Sequence, residues 1–275
     1  EKGMGANVAH FGSCANSMQS IVTIWDERST FPAMDIRIIF PILVLMIAFG
    51  LAARAEESTA AAGVRFDPVV RKLEGWTMHV DPALLEGEHA LQGQKALRML
   101  GDHLNRISLL VEDSRLRKLQ RCEIWIEHEH PTLKAMQYHP SLGWLKAHGH
   151  DLRLTRKVHI TRAAALLERG QLLKHPAVIL HELAHAYHDQ YLTFEHKEII
   201  LAYKNAMDAG LYDKVLLFNG RMVPHYARTN HKEYFAESTE AYFYRNDFYP
   251  FVRAELKEHD PTVHAVMEDV WGKLE

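Results

Sequence analysis

Residues 177–188 read AVILHELAHAYH. Within them, His181-Glu182-Leu183-Ala184-His185 is an H-E-x-x-H motif that follows directly on the apolar run 177–180. The periodicity predicts a helix, and Pro176 suits its first turn, where a missing N–H has no intrahelical partner to lose. Ile179, Leu183 and Ala186 then fall on one face, with Leu180 and Tyr187 nearby. His181, His185 and His188 fall on the other side with Glu182. An ordinary amphipathic helix would carry Lys and Glu there. An apolar back and a histidine front suit a buried helix that lends two imidazoles to one metal ion, with Glu182 in reach of a water on that ion. Histidine is common in the chain, 19 of 275 residues, so the motif draws its meaning from this context and from what lies downstream.

A catalytic zinc site takes three protein ligands and leaves one position for water. His188 is a candidate third ligand, but one more turn along the same straight helix points poorly at a tetrahedral centre. The metzincin pattern, which breaks the helix with glycine, needs that glycine where His188 stands and a histidine where Tyr191 stands. His188 is therefore expected to support the ligands or to line a cleft. Asp189 either orients the His185 ring or is a solvated helix-end carboxylate. The better third ligand lies in residues 226–242, YARTNHKEYFAESTEAY. Asn230 caps a helix predicted over 231–244. Glu233, Glu237, Glu240 and Tyr244 share a stripe on it, while Phe235, Tyr242 and Phe243 supply packing. Glu233 also stands where it can complete a capping box with Asn230, so ligand and cap are both open readings at that residue.

H-E-x-x-H followed by a distal E-x-x-x-[DE] helix resembles the gluzincins, the thermolysin-type class. The spacing from Tyr226 to Glu233 and the stretch EYFAE over 233–237 are similar to those in the catalytic domain of anthrax toxin lethal factor. The resemblance covers about 177–191 and 226–245 and nothing in the N-terminal half, so the substrates of lethal factor and its role in a toxin are not implied. It implies His181, His185 and Glu233 as zinc ligands, Glu237 as a carboxylate behind them, and Tyr226 as donor to a developing oxyanion. The chemistry that follows is hydrolysis of a peptide or protein substrate by a zinc-activated water. Glu182 is then the general base that passes a proton to the leaving amine, and Tyr226, with His225 in reserve, stabilises the oxyanion. Two other readings stay open: hydrolysis of a non-peptide amide of cell-wall type, and a zinc-binding module without catalysis. The presence of Glu182 argues against the second, because a structural site has no use for that carboxylate.

Residues 34–55, MDIRIIFPILVLMIAFGLAARA, combine a basic residue, an apolar core and a small-x-small end. They are expected to be a secretory signal cleaved after Ala55. The rival is an uncleaved anchor, since the apolar core nearly reaches spanning length. The chain starts at Glu1 and Met34 opens the signal, so residues 1–33 are expected to be translated sequence upstream of the true start. An Ala-rich linker over 56–63 and a peptidase domain over 64–275 complete the expected organisation, with the protein secreted or periplasmic and touching a membrane only through an uncleaved signal. The domain is long enough to bury a substantial core. The net charge is −3 for the chain and, because residues 1–55 hold four acids and four bases, −3 for residues 56–275 as well. That balance offers no electrostatic case for nucleic acid. Cys122 alone of the two cysteines lies in the domain, which excludes an intrachain disulfide there and suits a buried apolar role.

Alternation predicts strands over 75–80 and 122–127, with shorter ones at 136–139 and 158–160. Helical periodicity covers 88–111, 162–169, 196–207 and the segment from Thr262 onward. Strands first and helices later imply an α+β, zincin-like fold: a small mixed sheet, an active-site helix and a mostly helical C-terminal half. Residues 127–130, EHEH, are read as a strand end with solvated charge, and 148–150, HGH, as a loop. Residues 136–139 are the expected sheet edge along which an extended substrate would lie.

Overall fold

The computed structural model describes residues 63–274. The chain divides into the units Glu1–Ala55 and Glu56–Glu275, and the described residues belong to the second. The expected upstream extension (1–33), signal segment (34–55) and nearly all of the linker (56–63) lie outside them. Among the described residues no helix is long and apolar enough to cross a membrane.

β1 (Val69–Leu73) and β2 (Trp76–Val80) form an antiparallel hairpin. Its turn residues, Glu74 and Gly75, both take positive φ, 47° and 90°, the conformation whose twist suits a two-residue turn. β1 carries no alternation in its sequence and four of its five residues are exposed, so no periodic signal announces it. β3 (Ile124–Ile126) runs parallel to β2. β4 (Gln137–Tyr138) pairs antiparallel with β5 (Val158–Ile160), which is parallel to β3. The order β1-β2-β3-β5-β4 leaves β4 at an edge, as expected for residues 136–139.

Parallel neighbours need crossovers, and α1 (Ala90–Leu110) with α2 (Asp113–Leu119) supplies the one from β2 to β3. Leu100 and Leu104 of α1 share a core with Trp76, Met78, Ile124 and Ile160 on one face of the sheet. On the opposite face Trp125 packs with Leu154 and with Leu145 of α3 (Leu142–Ala147). Cys122 is buried as expected, and burial pushes its thiol up to about 12.

Residues 127–130 depart from expectation. Glu127 and His130 are 3 % and 4 % exposed. The Glu127 N–H still bonds the Ile160 carbonyl (3.0 Å), so pairing continues past β3. Alternation then puts the Glu127 side chain on the covered face of Trp125. It accepts from Trp125 Nε1 (3.2 Å) and from Arg65, and lies 3.1 Å from His159 Nε2. His130 Nδ1 accepts the N–H groups of Leu133 (2.9 Å) and Thr132 (3.2 Å). A buried charge persists only with such partners.

The second half is helical: α4 (Arg169–Lys174), α5 (Val178–Tyr187), α6 (Lys197–Asp208), α7 (His231–Phe243), α8 (Arg253–His259) and α9 (Pro261–Trp271). The helix expected over 162–169 is instead a 3-10 turn, Ala163–Leu167, followed by α4. A small hairpin, β6 (Val215–Leu216) with β7 (Met222–Val223), joins α6 to α7. Nine of the ten residues of α5 are buried. It is enclosed by α7, by β4 and β5, and by α1 and α2. The result is an α+β fold with a small mixed sheet, and α5 and α7 face each other at its centre.

Candidate metal centre

His181 and His185 are one turn apart on α5. The Asn230 side chain caps α7 by accepting the N–H groups of Lys232 (2.9 Å) and Glu233 (3.1 Å). The Glu233 carboxylate crosses to α5. Its Oε2 is 3.2 Å from His181 Nε2 and 3.3 Å from His185 Nε2, and the two Nε2 atoms are 3.1 Å apart. A tetrahedral ion with bonds near 2 Å holds its ligands about 3.3 Å apart. The three atoms therefore match the chemistry and the spacing of a two-histidine, one-carboxylate site, and this group is able to hold a metal ion.

A ligating histidine needs its second nitrogen fixed. His181 Nδ1 donates to Glu240 Oε1 at 2.6 Å, which leaves the Nε2 lone pair for the ion. The same Glu240 oxygen accepts from His175 Nε2 at 3.0 Å. The resemblance gave this supporting position to Glu237, but Glu237 Oε1 is 3.8 Å from His181 Nδ1, too far for a hydrogen bond. Nδ1 and Nε2 point away from each other across the ring, so Glu240, two turns beyond Glu233 on α7, meets Nδ1 while Glu233 meets Nε2. His175, His181, Glu237 and Glu240 also cluster closely enough to suggest a metal group. There, however, both imidazoles already direct an N–H at Glu240.

Burial disfavours charge on every carboxylate here, and the imidazoles decide which ones keep it. Against burial, the charge and hydrogen bond of His175, with those of His181, hold Glu240 well below the usual range. Burial, then the Glu240 charge, drives Glu237 up, so it keeps its proton. Burial likewise opposes charge on Glu233, and hydrogen bonds from His181 and His185 more than offset it. For His181, burial works against the cation, yet Glu233 and Glu240 raise its pKa well above the ordinary value.

Glu182 is 7 % exposed. Its Oε2 accepts the backbone N–H of Tyr138 in β4 at 2.7 Å, and no other hydrogen bond to it occurs among the described residues. Burial raises its pKa despite the pull of His181 and His185. His181, Glu182, His185 and Glu233 line a cleft of about 640 Å³, with β4 on one side. Tyr226 lines the same cleft, half-exposed, on the 3-10 turn Tyr226–Thr229 that leads into α7. Three other expectations fail. His225 turns inward, stacks on Phe248 and accepts the Ala227 N–H (3.0 Å), so it is no substitute for Tyr226. His188 is fully buried against Phe194 and Phe235 with neither ring nitrogen hydrogen-bonded, because the helix turns it away from the cleft and into the core. Asp189 accepts from the Tyr138 hydroxyl (2.7 Å) and lies 3.6 Å from Arg156; it neither orients His185 nor stands free in solvent.

The Tyr138 N–H, His175 and the Glu240 interaction were not anticipated as parts of the site. Glu240 had a signal, its place on the Glu233 stripe. Tyr138 had none, because β4 meets α5 only in the folded molecule; His175 stands three residues before α5, and its partner Glu240 comes from a distant helix. No protein-family model, curated protein or solved structure matches the chain.

Proposed function

We propose that the protein is a zinc-dependent peptidase of gluzincin type on a zincin-like fold. It acts on peptide or protein substrates outside the cytoplasm, in keeping with the signal-like segment 34–55. The observation that carries the reading is the triangle of His181 Nε2, His185 Nε2 and Glu233 Oε2, 3.1–3.3 Å on a side, with the Glu182 carboxylate beside it in one cleft. Zinc is the metal such a donor set suits, and when bound it supplies the Lewis acidity that polarises a carbonyl and makes water nucleophilic near neutral pH.

The chain's own groups supply the rest. Glu182 has one oxygen anchored by Tyr138 and the other free, so it accepts a proton from water and later delivers it to the leaving amine. Its raised pKa favours that return step. Tyr226 contributes an O–H toward the oxyanion. The edge of β4 offers backbone groups to an extended substrate, with the Tyr138 N–H already committed to Glu182. Glu240 and His175 keep the His181 ring in the tautomer that coordinates. The position of Glu182 favours catalysis over a purely structural site.

Metal analysis of the full chain, with digestion of a peptide library, tests the reading. About one equivalent of zinc, and hydrolysis abolished by a chelator, are expected. Glu182→Gln should retain the zinc and lose about 10²- to 10⁴-fold in kcat. A Glu182→Gln protein that cleaves peptides at the wild-type rate ends the proposal.

A further inference from the structure

We propose that the cleft selects extended peptides with acidic side chains on both sides of the bond to be cleaved, read by Lys174 at one end and Lys232 at the other. The inference rests on the peptidase reading and adds a substrate class to it.

Both lysines line the cleft that holds His181, His185 and Glu233. They bracket the metal group along α5. Lys174 ends α4, just before the N-terminus of α5. Lys232 lies with its Nζ 4.1 Å from the ring centre of Phe194, in the segment that follows the last turn of α5. α5 and the helical turn His188–Leu192 that continues it toward Phe194 are together about 20 Å long, a span that an extended strand covers in about six residues. On that span the two lysines would meet side chains two to three residues out on either side of the reacting carbonyl.

Neither lysine forms an ion pair among the described residues. That sets them apart from the other two cations of the cleft wall, Arg162, which pairs with Glu168, and Lys134, which lies 3.4 Å from Glu129. The acids of the cleft do not balance them. Glu182 and Glu233 belong to the metal group and Glu237 is buried behind it. Asp247 feels the Lys174 charge but is only 3 % exposed and makes no ion pair with it. Lys174 and Lys232 are thus, among the described residues, the lysines of the cleft wall left without an ion-pair partner, on a chain whose net charge is −3. A concave, partly desolvated surface strengthens their field toward an anionic substrate.

The test uses zinc-loaded full chain and labelled peptides with one core, bearing Glu, Ala or Lys two residues from the cleaved bond on one side, on the other, or on both. Binding is read by fluorescence anisotropy on the Glu182→Gln protein and cleavage on the unsubstituted one. The Glu peptide should bind about tenfold more tightly than the Ala peptide, and the Lys peptide more weakly, with differences that shrink in high salt. Lys174→Glu and Lys232→Glu should each reverse the preference on one side only. Lys174→Gln and Lys232→Gln should abolish it there with zinc content unchanged. Charge-independent binding, no binding of the Glu peptide, or a preference that survives both reversals overturns the proposal. Preferential binding without any cleavage leaves the selection standing and removes the peptidase reading. Cleavage without charge preference does the opposite.

Discussion

Two groups of buried histidines sit at opposite ends of the same chemistry. On α5, the Nε2 atoms of His181 and His185 are 3.1 Å apart. On the sheet, His139 Nε2 and His159 Nδ1 are also 3.1 Å apart. The distance is the same, but the connectivity differs. The sheet pair belongs to a line, His139 to His159 to Glu127 to Arg65, in which each contact is met by one proton between one donor and one acceptor. The α5 pair belongs to a triangle closed by Glu233, in which each of three ligand-type atoms lies within 3.3 Å of the other two. A line of hydrogen bonds satisfies itself. A triangle leaves a shared centre that one cation could occupy.

The largest expected effect separates the two groups outright. His185→Ala should reduce bound metal from about one equivalent to none, while His139→Ala leaves it unchanged. Loss of metal from the His139 variant, measured by elemental analysis, would mean that the sheet group is not self-sufficient.

Acid should find the histidines that burial keeps neutral. Burial, with neighbouring positive charge at the first two, pushes His103 and His139 down to about 4 and 3, and burial pushes His225 down to about 3. Unfolded, each takes its proton near pH 6.5. Their contribution is therefore complete above pH 6.5 and is lost as pH falls toward 4, by up to about 4 kcal/mol per pH unit for the three together. Urea midpoints measured from pH 7 to 5 should fall steeply; a flat profile contradicts the buried, neutral state of these rings.

Within the triangle, Glu240→Gln should weaken metal binding about 10- to 100-fold by loosening the His181 ring. Glu237→Gln should have much less effect, because that carboxylate is already neutral and makes no hydrogen bond to the ring. Competition titrations with a chromophoric chelator distinguish the two, and equal losses would restore Glu237 to the role the resemblance gave it. Within the line, Glu127→Gln should cost about 2 kcal/mol of stability, since it leaves Arg65 and His159 without their charge partner. A third of the Arg65 side chain remains in solvent, which moderates that cost. The same substitution should leave metal affinity untouched, and a shift in the chelator titration would show that the two groups are coupled.

What was legible in the sequence follows the range of the interactions. The α5 helix, the Asn230 cap and the strands at 75–80, 122–127 and 158–160 depend on neighbours a few residues away, and their periodicity announced them. The β4 edge was expected at residues 136–139 from what zincins commonly do, not from any periodicity. The fate of Glu127 was not. The alternation of β3 gives its face, but only the covering segment around Leu145 and Leu154 makes that face an interior. The same applies to His188, whose place on the histidine side of a helical wheel did not anticipate the aromatic residues that close over it.

The sequence by itself determined that two imidazoles and a carboxylate share one turn of a buried helix, because i and i+4 meet on any helix. It also marked Glu233, Glu237 and Glu240 as one stripe of a second helix. Only the tertiary structure decided how that stripe is used: Glu233 on the outer nitrogen, Glu240 on the inner one, Glu237 between them without a hydrogen bond to the ring. Only it supplied Tyr138 to hold Glu182. The reason is physical. Spacing along a helix fixes which side chains share a face, but the two nitrogens of a ring point in different directions, and the packing of α7 and β4 against α5 determines what each of them meets.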